Sequence, residues 1–309
     1  MRFVLAAFGA LFLAGMPVTA RAQTYADRLS AAMKEARWTG PLLASTAETL
    51  PKGHFYTEPY IFDGISGGEH HPGTSGFYQY GLTDNWTVGM QPFFSLGTQR
   101  YARDVAVGDF KLLSQVRISH FTAHHRVPSV ALVTNLVIPT GKADHLANQK
   151  NGHGSGAFAP EIGVNVQQYF LLNNGRLLRA RINILKDLPL RTGINGRSVY
   201  GTDAGFHGHA RPGSKTTVIL GAEYSMTKEW LLTCDVEADH WGETRVNGRD
   251  AGGAVVDRTS PVSWNVGFAP GIEYNWSARA GAIFGVWVVP KGHNTQASVT
   301  PAIAIQRFW

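Results

Sequence analysis

Apolar and polar side chains alternate most clearly between Ala159 and Leu185, on both sides of one tight turn. The apolar positions are Ile162, Val164, Val166, Phe170, Leu178, Ala180, Ile182 and Ile184, and the polar positions are Glu161, Gly163, Asn165, Gln167, Tyr169, Arg179, Arg181 and Asn183. A period of two residues predicts a β-hairpin. Long strands with one apolar face and one charged face are typical of a wall between lipid and water.

The turn of this hairpin predicts its register. A two-residue turn at Asn174-Gly175 would set Arg179 opposite Phe170, which would place a charge and a lipid-facing ring on one face of the sheet. A three-residue loop from Asn173 to Gly175, with Gly175 in the left-handed conformation, instead sets Arg179 opposite Tyr169. We therefore expect the three-residue loop.

The same alternation, interrupted by turn residues, predicts about 12 strands from Gly53 onward. Their approximate ranges are 53–65, 75–83, 86–98, 108–122, 128–140, 156–171, 176–189, 214–226, 229–242, 261–275, 278–290 and 295–309. Their lengths are near the ~9–11 residues that a tilted strand needs to cross a bilayer. An even number of strands closes a barrel with both chain ends on one side.

Short and long connections alternate between these strands. Tight turns are predicted at 83–85, 173–175, 227–228 and 275–277, with a slightly longer one at 123–127, and long polar connections at 66–74, 99–107, 141–155, 190–213 and 243–260. Outer-membrane barrels have short periplasmic turns and long extracellular loops, whereas a β-sandwich has no reason for this order. The sequence therefore predicts an all-β fold, an antiparallel transmembrane β-barrel of about 12 strands with a short N-terminal helical segment.

The N-terminal part of the chain has the composition of an export signal. Arg2 precedes an apolar run from Phe3 to Ala14, and Ala20-Arg21-Ala22 is a small-residue cleavage site. The chain is divided into a signal peptide at 1–22, a helical segment with an irregular lead-in at 23–52, and the barrel at 53–309. We expect the helix over 25–38 to lie in the periplasm or at the mouth of the lumen, with a plug inside the lumen as the alternative. The predicted location is the bacterial outer membrane.

Charged residues of both signs fall on the inward-facing positions of the strands. The candidate lumen-lining residues are Glu58, Asp109, Lys111, Arg117, Glu161, Arg179, Arg181, Glu223, Asp235, Glu237, Asp239 and Glu273. A charge away from water is costly unless it is paired, so we expect ion pairs across a lumen that contains water. These charges either brace a narrow barrel or take part in transport, and a mixture of signs argues against strong ion selectivity.

Aromatic residues lie near the ends of the predicted strands, where they would form the two interfacial belts of a membrane barrel. The periplasmic belt would contain Trp86, Tyr169, Tyr224, Trp230, Tyr274, Trp276 and Trp309, and the extracellular belt Phe62, Phe94 and Trp287. The chain ends in Phe308-Trp309, and a terminal aromatic residue is the feature that the outer-membrane assembly machinery reads. The expected partners are therefore outer-membrane lipid, this machinery and a small-molecule solute.

Composition excludes several other functions. The net charge is +6 without a basic block, so nucleic acid is not an expected partner. The single cysteine, Cys234, cannot form an internal disulfide and is expected to be a small lipid-facing side chain.

The histidines and serines suggest neither a metal site nor a catalytic site. The pairs His70-His71, His124-His125 and His207/His209 fall in predicted loops at spacings that match no standard zinc pattern. A lipid hydrolase would need a Ser/His pair on the outer wall. The candidates Ser114 and His120 lie six residues apart, roughly 20 Å along one strand. We therefore predict no cofactor, metal or catalytic residue.

Several short motifs occur in an order that resembles a known family. They are Leu50-Pro51-Lys52-Gly53-His54, Glu58-Pro59-Tyr60, Tyr80 to Trp86, Gly108-Asp109-Phe110-Lys111, Pro139-Thr140-Gly141-Lys142 and Gly154-Ser155-Gly156. Over most of the mature chain the sequence is similar to the outer-membrane transporter family of the meta-pathway of phenol degradation. This resemblance implies an outer-membrane barrel associated with the degradation of aromatic compounds.

These observations predict a channel or transporter for small hydrophobic or aromatic compounds, which pass by diffusion through a polar lumen. The long connections 141–155 and 190–213 would form the outer gate, and the aromatic solute class rests on the resemblance alone. Two alternatives remain open: a barrel enzyme that modifies lipid, and a structural or surface-interaction barrel that does not conduct.

Overall fold

The computed structural model describes residues 20–38, 40–96 and 105–309. Residues 1–19 of the predicted signal peptide lie outside the described residues. Within these described residues, α-helix α1 spans Ala20–Glu35 and a 3-10 helix spans Gln149–Asn151. No described helix is long and apolar enough to cross a membrane.

The rest of the described chain is dominated by β-strands. They are β1 (Phe55–Ser66), β2 (Glu69–Thr83), β3 (Trp86–Gln91), β4 (Phe93–Leu96), β5 (Val105–Val107), β6 (Phe110–Ser119), β7 (Ser129–Ile138), β8 (Ala159–Leu171), β9 (Leu177–Asp187), β10 (Thr192–Asn195), β11 (His207–Arg211), β12 (Lys215–Ser225), β13 (Trp230–Trp241), β14 (Thr244–Arg249), β15 (Val255–Ser260), β16 (Ser263–Ser277), β17 (Ala280–Val289) and β18 (Ser298–Phe308).

The large sheet closes on itself to form a barrel. Its order is β1-β18-β17-β16-β13-β12-β9-β8-β7-β6-β3-β2, and β2 pairs again with β1. All these pairings are antiparallel. β4 and β5 continue β3 and β6 beyond short interruptions; one falls at Pro92, which has no backbone N–H to donate to a neighbouring strand. The predicted 12-stranded antiparallel barrel is confirmed.

The strand faces have the predicted polarity. Along β13 the polar side chains of Thr233, Asp235, Glu237 and Asp239 are buried, whereas Leu232 is 46% exposed on the other face. Strands β16, β17 and β18 expose Phe268, Phe284 and Ile303 in the same way. An apolar outside and a polar inside suit a wall that faces lipid, and the barrel lies in the bacterial outer membrane.

The hairpin between β8 and β9 has the predicted register. Tyr169 lies opposite Arg179, and the Leu172 amide donates to the Arg176 carbonyl across the loop, at 2.8 Å. The loop therefore contains three residues, and Gly175 has a φ of 77°. That left-handed conformation is one that glycine adopts without steric cost.

The connection predicted as long at 66–74 is instead a tight turn. β1 and β2 form a continuous hairpin in which Ser66 pairs with Glu69. The two residues between them, Gly67 and Gly68, have φ values of 60° and 81°, as a two-residue hairpin turn with two left-handed positions requires. His70 and His71 consequently lie in β2, and their assignment to a loop was wrong.

Two of the long connections carry a second sheet that the sequence did not predict. Strands β10, β11, β14 and β15 pair in this order within the connections 190–213 and 243–260. Ile194, Phe206, Ala210 and Val246 form a small buried core beneath it. His207 and His209 lie in β11 of this sheet, so they too are strand residues.

Helix α1 lies at the end of the barrel that carries the short turns after β2, β8 and β12, and short turns are typical of the periplasmic end of outer-membrane barrels. Leu29 packs against Phe121 and Leu177 in a buried cluster, and the hydroxyl of Tyr25 accepts a hydrogen bond of 3.0 Å from the Leu171 amide. The helix therefore sits at the mouth of the lumen, and the chain after it enters the barrel.

Candidate functional site

Residues 40–52, which we call the strap, lie inside the barrel. They form neither helix nor strand, so their backbone groups need hydrogen-bond partners elsewhere. Carboxylates of the barrel wall supply several acceptors. The Gly40 amide donates to Glu273 at 3.3 Å, and the amides of Leu43 and Ala44 donate to the two oxygens of Asp235 at 2.9 and 3.3 Å.

Amide and guanidinium side chains hold the middle of the strap. Ser45 exchanges two hydrogen bonds with Asn183, of 2.8 and 3.0 Å, and Arg181 donates to the Ala44 carbonyl at 2.6 Å. The strap also approaches the wall closely, because a Cβ atom at Gly221 would lie 2.6 Å from that of Ala44. Position 221 therefore needs glycine if the strap is to occupy this place.

Glu48 anchors the strap near the periplasmic end. Its carboxylate accepts a hydrogen bond from Arg117 at 2.7 Å and a very short one from the buried Ser129 hydroxyl. The His120 ring nitrogen lies 3.2 Å from the same carboxylate. The prediction that His120 faces lipid was wrong, because the pairing of β6 with β7 shifts register between Arg117 and Ser119.

The strap leaves the barrel at the turn between β2 and β3. Thr49 donates to the Asp84 carbonyl at 2.6 Å, Leu50 donates to Thr87 at 2.8 Å, and Lys52 donates to the Asp84 carboxylate at 3.0 Å. Three residues before the strap begins, Arg37 lies 3.6 Å from Glu229 in the turn before β13. Both ends of the strap are thus fixed at the periplasmic mouth.

The wall formed by β9, β12 and β13, which we call the charged wall, carries several ion pairs of the interior. The fully buried Glu223 carboxylate binds Arg179 with two hydrogen bonds and lies 3.3 Å from Arg181. Lys215 lies 3.0 Å from Asp239. These partners belong to neighbouring strands, so the pairs run along the wall and not across the lumen as expected.

The predicted lumen residues occupy three environments. Nine of them are at least 90% buried, namely Glu58, Glu161, Arg179, Arg181, Glu223, Asp235, Glu237, Asp239 and Glu273. Lys111 and Arg117 are partly exposed and pair with Glu161 and Glu48. Asp109 lies outside the strands, where its carboxylate accepts hydrogen bonds from the amides of Gly141 and Ser155.

A different surface, which we call the apolar wall, faces the strap from β1, β16, β17 and β18. Leu42 of the strap packs in one cluster with Ala269, Ile283, Ala302 and Ala304, and Leu43, Tyr60, Phe62 and Trp287 pack against that cluster. Phe62 and Trp287 therefore lie inside the barrel. Their assignment to the extracellular aromatic belt was wrong, since both share the inward face of their strands with the residues of this cluster.

A cavity of about 620 Å³ lies between the strap and the barrel wall. The strap borders it along Gly40 to Thr46, the apolar side contributes Tyr60 and Phe77, and the charged side contributes Glu237 and Lys215. The cavity therefore offers both an apolar and a charged surface to a small molecule.

Two of the extracellular connections form one hydrogen-bonded unit. Within 141–155 and 190–213, His145 donates to the Asn195 carbonyl at 3.1 Å, and Leu146 to the Arg197 carbonyl at 2.9 Å. The Tyr200 hydroxyl donates to the Ser155 carbonyl. Burial raises the pKa of Tyr200 to about 12, and the nearby Asp109 carboxylate adds to the increase. This phenol therefore remains a neutral donor at physiological pH.

Three of the sequence motifs meet at the extracellular rim. Thr140 donates to the Gly108 carbonyl at 2.7 Å, and the Asp109 carboxylate receives the amides of Gly141 and Ser155 at 3.0 and 2.7 Å. Segments that are up to about 45 residues apart in the chain are thus joined at the base of one loop. These motif residues have an architectural role in the structure.

The described residues do not assemble a recognisable catalytic or metal centre. Among them, no group of three or more His, Cys, Asp or Glu side chains could hold a metal ion. Ser114 accepts a hydrogen bond from the exposed Trp86 at 3.1 Å, whereas His120 contacts Glu48 of the strap. The proposed hydrolase pair is therefore not brought together.

The sequence matches no protein-family profile and no curated protein. The fold resembles that of an outer-membrane channel from Pseudomonas putida F1, with a TM-score of 0.53 at 13% identity over 85% of this chain and 98% of the other. A mutant of the TodX monoaromatic hydrocarbon channel aligns with a TM-score of 0.49 at 12% identity over 89% of this chain and 98% of the other. For the NanC porin the values are 0.48 and 9%, over 81% and 98% of the two chains. The first similarity shows a shared fold.

Proposed function

We propose that this protein is an outer-membrane channel for small hydrophobic or aromatic compounds, which diffuse passively through the barrel. The observation that carries the proposal is the interior cavity of about 620 Å³ between the strap and the two walls. This volume lies within the range of small-molecule sites, roughly 300–1,000 Å³. The cavity thus has room for one small solute at a time.

The apolar wall supports an apolar or aromatic solute. Tyr60 borders the cavity together with Leu42 of the strap, and Phe62 and Trp287 pack against the same cluster inside the barrel. Transfer of apolar surface from water to such a wall is favourable by roughly 25 cal/mol per Å². A purely polar solute would gain less from this side of the cavity.

Passage requires the strap to move, because it occupies the periplasmic half of the lumen. A neutral hydrogen bond contributes about 0.5–1.5 kcal/mol net, and one to a charged group about 1.5–3 kcal/mol. The strap is held by a few bonds of each kind, to Asp235, Glu273, Asn183 and Thr87 among others. We therefore propose that the strap is a reversible inner closure.

The connections 141–155 and 190–213 are proposed as the outer gate. Because backbone hydrogen bonds join them, they would open together. Lys150 in the first connection also lies 2.6 Å from Glu69 at the start of β2. Because this ion pair is exposed and screened by solvent, it would not prevent opening.

The proposal includes a relationship to the transporter family of the meta-pathway of phenol degradation, which the motif order supports. It also includes recognition of Phe308 and Trp309 by the outer-membrane assembly machinery. Removal of these two residues should lower the amount of heat-modifiable barrel in the outer membrane, as measured by electrophoresis with and without boiling.

The direct test is uptake by intact cells, because lipopolysaccharide hinders the entry of apolar compounds into a cell. Initial uptake rates of radiolabelled aromatic compounds would be compared between a deletion strain and strains that carry the wild type or a barrel with the strap covalently locked. The proposal expects faster uptake with the wild type alone. Equal uptake in all three strains would contradict it.

A second candidate is a structural barrel that does not conduct. The observation in its favour is the strap itself, which is fixed at both ends and along its middle. If ion conductance is absent from both the wild type and a variant without strap residues 40–50, the structural function is favoured.

A further inference from the structure

Charges inside the barrel are unevenly paired. Five cations of the lumen occur in ion pairs, formed by Lys111 with Glu161, Arg117 with Glu48, Arg179 and Arg181 with Glu223, and Lys215 with Asp239. A further cation, Arg279, borders the cavity at the turn before β17. In the part of the chain that the structure describes, the cavity carboxylates Glu58, Asp187 and Glu237 form no ion pair within 4.0 Å. The interior therefore has more carboxylates than cations to neutralise them.

Like Asp187, Glu58 has one buried carboxylate oxygen without a hydrogen-bond partner among the described residues. Glu58 is 7% exposed, and this oxygen is its Oε1 atom. It also borders the cavity. A buried carboxylate oxygen without a partner costs free energy, and a donor that enters the cavity would reduce this cost.

Aromatic rings surround Glu58. Tyr56 and Tyr60 lie two residues away on either side, on the same face of β1, and their hydroxyls interact with the carboxylate. Phe77 lies directly opposite Glu58 on β2, with its ring at 6.3 Å from that of Tyr60 in an edge-to-face arrangement. All four residues border the same cavity.

We propose that Glu58, Tyr56, Tyr60 and Phe77 form a binding subsite for an organic cation, a solute with an ammonium group on an apolar or aromatic body. The ammonium group donates a charge-assisted hydrogen bond to the Glu58 carboxylate. The ring faces attract the same charge, and the apolar body lies along the apolar wall. The inference rests on the proposed function and narrows its solute class.

The same chemistry disfavours the other solute classes at this subsite. A neutral hydroxyl can donate to Oε1 but leaves the negative charge of Glu58 uncompensated. An anionic solute meets that charge directly and is repelled. The subsite should therefore distinguish solutes that share one ring and differ only in the charge of its substituent.

The test compares benzylammonium, benzyl alcohol and benzoate by calorimetric titration of the full-length barrel in detergent at neutral pH. The expected result is that benzylammonium binds about tenfold more tightly than benzyl alcohol, while benzoate is the weakest. Glu58→Gln should remove most of this preference and leave benzyl alcohol binding nearly unchanged. The control Asp257→Asn, which removes an exposed carboxylate from the extracellular sheet, should leave all three affinities unchanged.

Equal affinity for the three compounds, no binding of benzylammonium, or an unchanged preference in Glu58→Gln would overturn the inference. None of these results depends on uptake by cells, so the proposed channel function would still be judged by its own test. If Glu58→Gln gives no heat-modifiable barrel, Phe77→Leu tests the same subsite, because it removes a ring and keeps the carboxylate. That variant should lose several-fold affinity for benzylammonium.

Discussion

The two walls of the lumen hold the same strap by different means. The charged wall binds it with directional hydrogen bonds to backbone groups, as Asp235 does for Leu43 and Ala44. The apolar wall contacts it by packing, with Leu42 against Ala269 and Ile283. Directional bonds determine where the strap lies, whereas packing against smooth apolar surface tolerates sliding. Release of the strap is therefore controlled mainly from the charged wall.

The largest expected effect is on the charged wall itself. Glu223→Gln would leave Arg179 and Arg181 buried without their shared carboxylate, and breaking one side of a buried ion pair costs about 3–5 kcal/mol. Urea unfolding of the barrel in detergent, followed by its heat-modifiable mobility, would measure this loss. An unchanged midpoint would indicate that the interior charges are already hydrated.

A smaller effect should result from loss of the strap acceptor. Asp235→Ala removes the partner of two strap amides, at a cost of about 1.5–3 kcal/mol for bonds to a charged group. The barrel should remain folded while the strap is released, so planar-bilayer conductance should rise. Asp239→Ala is the matched control, because Asp239 lies on the same face of β13 and binds Lys215 and Thr217 but not the strap. Equal conductance in the two variants would contradict the inference that Asp235 holds the strap in place.

The apolar wall should respond less strongly. Leu42→Ala shortens a side chain that is 8% exposed, with a cost of about 2 kcal/mol, the lower end for such changes, because the strap can slide to fill the space. Accessibility of a cysteine at position 45 to a maleimide, with Cys234→Ala as the background, would report strap exposure. If the cysteine is labelled faster in Leu42→Ala than in Asp235→Ala, the apolar wall holds the strap more strongly than the charged wall.

The smallest effect is expected at the extracellular rim. Lys150 and Glu69 form an exposed pair, with side chains that are 60% and 55% accessible. Lys150→Ala should leave the midpoint of urea unfolding nearly unchanged, because the pair is screened by solvent, and it should leave the conductance of Asp235→Ala unchanged. A large change in stability or in conductance would show that the rim contributes to gating through more than this exposed ion pair.

The barrel could be predicted from the sequence because a period of two residues is a local signal. It gave the strand number, the inward position of Glu223 and Asp235, and the register of Arg179 opposite Tyr169. The predicted facing of His120 was wrong because of one register shift. Inward and outward positions alternate only where the strand pairing is regular. The two-residue turn at Gly67-Gly68 was missed because the polar residues that follow it resemble a loop.

The strap could not be predicted, because its contacts join positions that are far apart in the chain. Leu43 and Asp235 are separated by 192 residues, and an irregular segment has no periodicity to show which surface it meets. One signal was present: residues 40–50 contain a single charged side chain, Glu48, which is unusual for a segment exposed to water. The extracellular sheet was also missed, because its strands are too short to show a clear period of two residues.

The central claim is that the strap closes the lumen. Ser45→Cys and Asn183→Cys, at two positions joined by a 2.8 Å hydrogen bond from the Ser45 amide to the Asn183 side-chain oxygen, would lock the strap to β9 by a disulfide in a Cys234→Ala background. Planar-bilayer conductance of this protein would be measured before and after reduction. The expected result is negligible conductance in the oxidised protein and clear channel openings after reduction. Equal conductance in the two states would contradict it.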